Sequence, residues 1–206
     1  MIFTRFLGLG IAAFLACGTL AHGGTEAVSR RIDGPTELVA PSFEMAAETS
    51  YLWGSIANPN SYEIGALFIT GRWRWGVNDR PGFWRGYHQV YFLGMAEPIL
   101  RGPETHYFGV SAGMRYNFVQ PGSRITPYVS GGVGLGFIDA HETVFGAQGQ
   151  DFTFNILSAI GVSYRVNDHL SVTAGALYQH LSNGGQTDPN PSLNLFGPQF
   201  GVTYNF

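Results

Sequence analysis

The amino-acid sequence predicts an all-β protein, an eight-stranded antiparallel transmembrane β-barrel behind a cleaved signal peptide. Three observations carry that expectation. From residue 42 onward the chain breaks into strand-length segments in which apolar and polar side chains alternate, separated by turns rich in Gly, Pro, Asn and Asp. Beyond the leader, no run approaches the roughly 20 apolar residues of a membrane-spanning helix, although 45% of the residues are hydrophobic and 15% aromatic. Only 12% are charged, the formal net charge is −3 and glycine occurs 29 times, a balance that excludes a helical bundle and a nucleic-acid partner.

The elements follow in order. Met1 to Arg5 is a short basic lead, Phe6 to Ala21 an apolar run too short to cross a bilayer, and Thr19-Leu20-Ala21 a small-x-Ala exit. Residues 1–21 therefore read as a secretory signal peptide. The sole cysteine, Cys17, sits in a poor lipoprotein box, so the mature chain is expected to have no thiol or disulfide chemistry. Residues 22–41, with Arg30, Arg31, Asp33 and Glu37, read as a flexible periplasmic lead, and 42–206 as the barrel.

The first strand, Phe43 to about Ile56, sets Phe43, Met45, Ala47, Tyr51 and Trp53 against Glu44, Glu48 and Ser50. The second, Tyr62 to about Trp75, follows Asn58-Pro59-Asn60. The third, about Arg85 to Glu97, leaves its face open, because Tyr91, Leu93 and Met95 compete with Val90 and Phe92. The fourth, His106 to Phe118, sets Phe108, Val110, Ala112, Met114, Tyr116 and Phe118 against Ser111, Arg115 and Asn117. In the fifth, Arg124 to Phe137, glycines at 132, 134 and 136 share the polar face, as a narrow barrel interior requires. The sixth spans Asp151 to Val166. The seventh starts near Leu170 after the Asn167-Asp168 turn and ends at His180-Leu181-Ser182, with Leu177 and Leu181 as apolar exceptions on its polar parity. The eighth closes the chain, with Phe196, Phe200, Val202, Tyr204 and Phe206 in phase.

Lipid-facing apolar side chains alternating with lumen-facing polar ones are the pattern of a transmembrane barrel. A terminal aromatic in phase with the apolar stripe resembles the C-terminal insertion signal of bacterial outer-membrane proteins, which places the chain in the outer membrane of a Gram-negative bacterium. With both ends periplasmic, the loops after odd strands are extracellular, including Asn183 to about Leu193. His180 and Ser182, two apart, share the outward face at the extracellular rim. Two readings are open on geometry alone: polar residues tolerated at the interface, or a base beside its nucleophile.

The segment His180-Leu181-Ser182-Asn183-Gly184-Gly185, then Asn190-Pro191-Ser192, then a last strand ending in an aromatic, resembles the lipid A 3-O-deacylase family of outer-membrane esterases, also called acyloxyacyl hydrolases. The motifs cover roughly the last 30 residues, and the strand count and length cover the rest at the level of architecture. The resemblance implies an esterase acting on lipid A of lipopolysaccharide in the outer leaflet. It implies Ser182 as nucleophile, His180 as general base, and an oxyanion held at the Gly185 N–H and the Asn190 side chain, with no cofactor. One departure stands out: the family's acidic third residue falls at Asn194, which shares the parity of Phe196 and Phe200. An amide orients an imidazole but does not offset the charge of an imidazolium, so either the site is weakened or silent, or Asp188 in the loop substitutes.

Other motifs fail on context. Gly109-Val110-Ser111-Ala112-Gly113 matches a nucleophile elbow in letters but runs on as a strand. The Gly131 to Gly136 run lacks the helix of a dinucleotide site. The remaining histidines have no ligand spacing, so no metal is expected. The readings that remain are a lipid A esterase, a silent barrel of that family, and a structural or adhesion-type barrel. Whether the barrel forms a homodimer is left open.

Overall fold

The computed structural model describes residues 40–55 and 61–206. The expected signal peptide and all but Ala40 and Pro41 of the lead lie outside the described residues. Every regular element among the described residues is a strand: β1 (Phe43–Ser55), β2 (Ser61–Asn78), β3 (Gly86–Arg101), β4 (His106–Phe118), β5 (Ile125–Ile138), β6 (Phe152–Arg165), β7 (Leu170–Ser182) and β8 (Leu193–Asn205). Each pairs antiparallel with its sequence neighbours, and β1 pairs with β8, so the sheet closes into a barrel without edges. β2 runs past its expected end because its hairpin with β3 resumes pairing beyond a bulge at Arg74/Gly76, as far as Asn78↔Gly86, and β3 runs past Glu97 because its far end pairs with the start of β2, as far as Glu63↔Arg101. The Asn78 amide then donates to the Trp84 carbonyl at 2.7 Å and closes the turn.

The alternation sorts as lipid exposure demands. Leu67, Ile69, Val133 and Ile160 point outward and are 58–64% exposed, whereas Glu44, Glu48, Arg72 and Arg115 point inward and are buried. The open face of β3 resolves with Phe92 outward and Tyr91 and Met95 inward. Aromatic side chains gather at both rims. Phe43 packs on Trp73 and Phe206, with ring centroids 4.9 and 5.3 Å apart, at the rim holding the C-terminus. At the opposite rim Trp53 meets Phe196 edge-on, and Phe152 meets Phe154.

The lumen is filled in two layers. Toward the terminal rim lies a polar network in which Arg72 donates to Glu48 at 2.7 Å and to Thr203 at 3.3 Å. Beside it Arg115 donates to Asn117 and Ser163 and stacks 3.6 Å over the Tyr128 ring. Toward the far rim lies an apolar layer of Leu52, Ile64, Phe68, Met95, Tyr107, Leu157, Leu177, Leu181, Leu193 and Leu195. Leu177 and Leu181 break the alternation because their inward positions line this layer, where an apolar side chain packs as in any core. Within it Glu97 accepts the Gln179 amide on both oxygens at 3.0 Å.

Glycines on the inner wall make room for tyrosines that lie against it. A Cβ on Gly132 would lie 2.2 Å from the Tyr91 hydroxyl, and one on Gly136 2.5 Å from that of Tyr107. The glycine row in the fifth strand is thus one half of a tyrosine–glycine fit.

Candidate active site

His180 lies near the end of β7 and, in the β7–β8 register, directly opposite Asn194 on β8. Directly opposed residues of an antiparallel pair bring their side chains together on one face. Here His180 Nδ1 and Asn194 Oδ1 stand 3.0 Å apart. Two residues on, Ser182 shares that outward face, and its Oγ is 3.2 Å from His180 Nε2. Both His180 and Ser182 are half-buried, flanked by Phe154, opposite Ser182 on β6, and by Phe196, two residues past Asn194 on β8.

The hydrogen bonds assign donor and acceptor roles to the two ring nitrogens of a neutral His180. Tyr178, two residues before His180 on the same face, donates its hydroxyl to Asn194 Oδ1 at 2.6 Å, and Asn194 Nδ2 donates to the Ser192 carbonyl at 3.4 Å. An amide oxygen accepts only, so His180 carries its proton on Nδ1 and turns the Nε2 lone pair to the Ser182 hydroxyl. The result is a continuous chain from Ser182 through His180 to Asn194, with the geometry of a nucleophile, its base and an orienting group.

The loop after β7 folds around Asn183. Its buried side chain accepts from the Gly185 N–H at 2.9 Å and donates to the Thr187 carbonyl at 2.7 Å, while its own N–H donates to Asn190 Oδ1 at 3.0 Å. Gly184 and Gly185 sit at φ +68° and +73°, a left-handed pair that side-chain-bearing residues seldom adopt. The β5–β6 loop braces this turn. The Gly149 N–H donates to the Pro189 carbonyl at 2.7 Å, and Gln150 bonds Thr187 and Gln186.

Comparison with known proteins decides the family. The family model described as lipid A 3-O-deacylase (PagL) matches residues 60–203. The chain belongs to the lipid A 3-O-deacylase family. Its fold is that of the outer-membrane enzyme PagL, whose crystal structure superposes with a TM-score of 0.58 at 16% identity, covering 77% of this chain and 97% of that one. Neisserial surface protein A gives the same TM-score and identity over 80% of this chain and 97% of its own. No curated protein sequence matches the chain. The chain is accordingly an outer-membrane barrel and a member of an enzyme family that modifies lipid A.

In this deacylase-family barrel, the residues singled out from the sequence fall as follows. His180, Ser182 and Asn194 meet on one outward patch. Asn190 lies beside it, anchored through Oδ1 to the backbone of the residue after Ser182, which leaves Nδ2 as its donor end. The Gly185 N–H is taken up by Asn183 Oδ1. Asp188 is exposed in the loop, and His180 Nδ1 faces Asn194 instead of it. Among the described residues, no group of three His, Cys, Asp or Glu side chains could hold a metal ion. Tyr178 was missed by sequence reasoning. The available signal is its parity with His180, which puts Tyr178 on the same outward face of the strand.

Proposed function

We propose that this barrel removes an ester-linked 3-hydroxyacyl chain from lipid A in the outer leaflet. The observation that carries this reading is the unbroken Ser182–His180–Asn194 hydrogen-bond chain on the outward face of the far rim, inside the aromatic belt where an acyl ester lies. Ser182 Oγ attacks the ester carbonyl as His180 Nε2 takes its proton. Asn194 holds the imidazole in the reactive tautomer. The oxyanion is bound by Asn190 Nδ2, joined by the Gly185 N–H once it exchanges Asn183 Oδ1 for the substrate. Loss of one such donor costs about 3 kcal/mol in comparable sites. Collapse expels the 3-hydroxyl of the glucosamine, which takes the proton back from His180. Water then attacks the acyl-enzyme by the same route and releases the 3-hydroxy fatty acid.

The test is a mass spectrum of lipid A after incubation with purified protein. Wild type is expected to release a 3-hydroxy fatty acid, and Ser182→Ala to release none while keeping heat-modifiable barrel migration, because a small outward residue at the rim contributes little packing. Full hydrolysis by Ser182→Ala overturns the assignment. A second reading, a silent barrel of the same family, is favoured by one observation: the third position is an amide, with no charge to set against an imidazolium. Unchanged lipid A with wild-type protein would establish it.

A further inference from the structure

We propose that Tyr178 is a positioning residue that holds the Asn194 amide in the one orientation in which it serves His180. The inference rests on the reading of His180 and Ser182 as base and nucleophile. It starts from a difference between a carboxylate and an amide. A carboxylate presents two equivalent acceptors, so turning it over changes nothing. An amide presents an acceptor at one end and a donor at the other. Turned over, Asn194 would offer Nδ2 to His180 Nδ1, move the imidazole proton to Nε2 and leave no lone pair facing Ser182. The wrong tautomer at this position costs about 10⁴-fold in a serine hydrolase.

Two groups oppose that turn. The Tyr178 hydroxyl donates to Asn194 Oδ1 at 2.6 Å, the shorter of the two side-chain contacts this oxygen makes. The Ser192 carbonyl accepts from Nδ2 at 3.4 Å, and after a turn it would face the amide oxygen, acceptor against acceptor. The Ser192 contact is long, so the Tyr178 hydroxyl is the principal hold. A phenol also serves better as donor than as acceptor, because its lone pair is drawn into the ring. Tyr178 reaches Asn194 by geometry alone: it is one outward step below His180 on β7, opposite Phe196. Its ring is partly exposed, so loss of the hydroxyl leaves the packing intact.

The experiment combines Tyr178→Phe, Asn194→Asp and the double variant, each as full-length purified barrel in detergent micelles containing lipid A. Two readouts are taken: kcat and KM for fatty-acid release, and the ¹⁵N chemical shifts of the His180 ring, assigned by their absence in His180→Ala. In the wild-type background Tyr178→Phe is expected to lower kcat about 10-fold, equivalent to about 1.4 kcal/mol, with KM unchanged, and to move His180 from the Nδ1–H tautomer to a mixture. In the Asn194→Asp background, where both ends of the group accept, the same change is expected to cost less than about two-fold and to leave the tautomer fixed. Equal losses in both backgrounds, or an unchanged tautomer in Tyr178→Phe, overturn the inference. If Ser182→Ala keeps full activity, the catalytic reading fails instead, and the ¹⁵N shifts alone still decide whether Tyr178 sets the amide.

Discussion

At the residue scale, the site turns on an amide standing where a charge is expected. His180 and Asn194 are already at hydrogen-bond distance, 3.0 Å, so replacing Asn194 by the isosteric Asp adds a charge without moving the imidazole. Asn194→Asp is expected to raise kcat about 10-fold or more, given the larger penalty of the reverse change in serine hydrolases, while Asp188→Asn leaves it unaltered. Steady-state release of 3-hydroxy fatty acid measures both. An Asp188→Asn variant that loses turnover would place the acid in the loop. The His-x-Ser spacing and its outward face were legible in the sequence because a strand repeats every two residues. The partnership of Tyr178 with Asn194 was not, because it depends on the β7–β8 register, and the long loop between the strands does not fix that register by counting.

At the element scale, two loops hold the site by small margins. A Cβ on Gly149 would lie 2.6 Å from the Asp188 carbonyl carbon, so Gly149→Ala is expected to push the β5–β6 loop off the β7–β8 loop and loosen the turn that carries Asn190. Limited proteolysis should then cut near residues 184–190 while the barrel stays folded, and hydrolysis should fall several-fold. The β3–β4 turn depends on Asp139, which accepts from the Thr105 hydroxyl at 2.5 Å and from the N–H groups of Thr105 and His106 at 2.9 Å. Partial burial pushes its carboxyl up, but these donors outweigh it and hold the carboxyl below the usual aspartate range. A lowered folded value stabilises the turn above the unfolded value, and that stability is lost as pH falls through the folded value. Amide exchange at Thr105 and His106, corrected for its intrinsic pH dependence, is therefore expected to show constant protection from about pH 8 to 5 and to lose it only in strong acid, and Asp139→Asn should abolish that acid step. The strands themselves were legible where lipid on one side and a polar lumen on the other enforce alternation, as in β4, β6 and β8. Legibility failed in β3 and at Leu177 and Leu181, where the inside of the barrel is itself apolar and both faces of a strand read alike.

At the scale of the whole molecule, the barrel is a filled rod: tyrosines occupy the space that glycines vacate, above an ionic layer. Gly132→Val would drive its side chain into the Tyr91 hydroxyl, 2.2 Å from where the new Cβ would stand, and into the Ala112 carbonyl at 2.8 Å. Overpacking of this kind usually costs about 1–3 kcal/mol, and with backbone on one side the variant is expected to lose heat-modifiable migration and to fail to accumulate in the outer membrane. Normal assembly would mean that the Tyr91 ring has room to swing away. The site's place on the outer wall of this rod, between Phe154 and Phe196, has a kinetic consequence. Under the proposed reaction, substrate arrives by lateral diffusion within one leaflet, so encounter is two-dimensional and its governing variable is the number of lipid A molecules per lipid. Diluting lipid A with inert phospholipid slows turnover at constant bulk concentration, whereas adding buffer to the same vesicles does not.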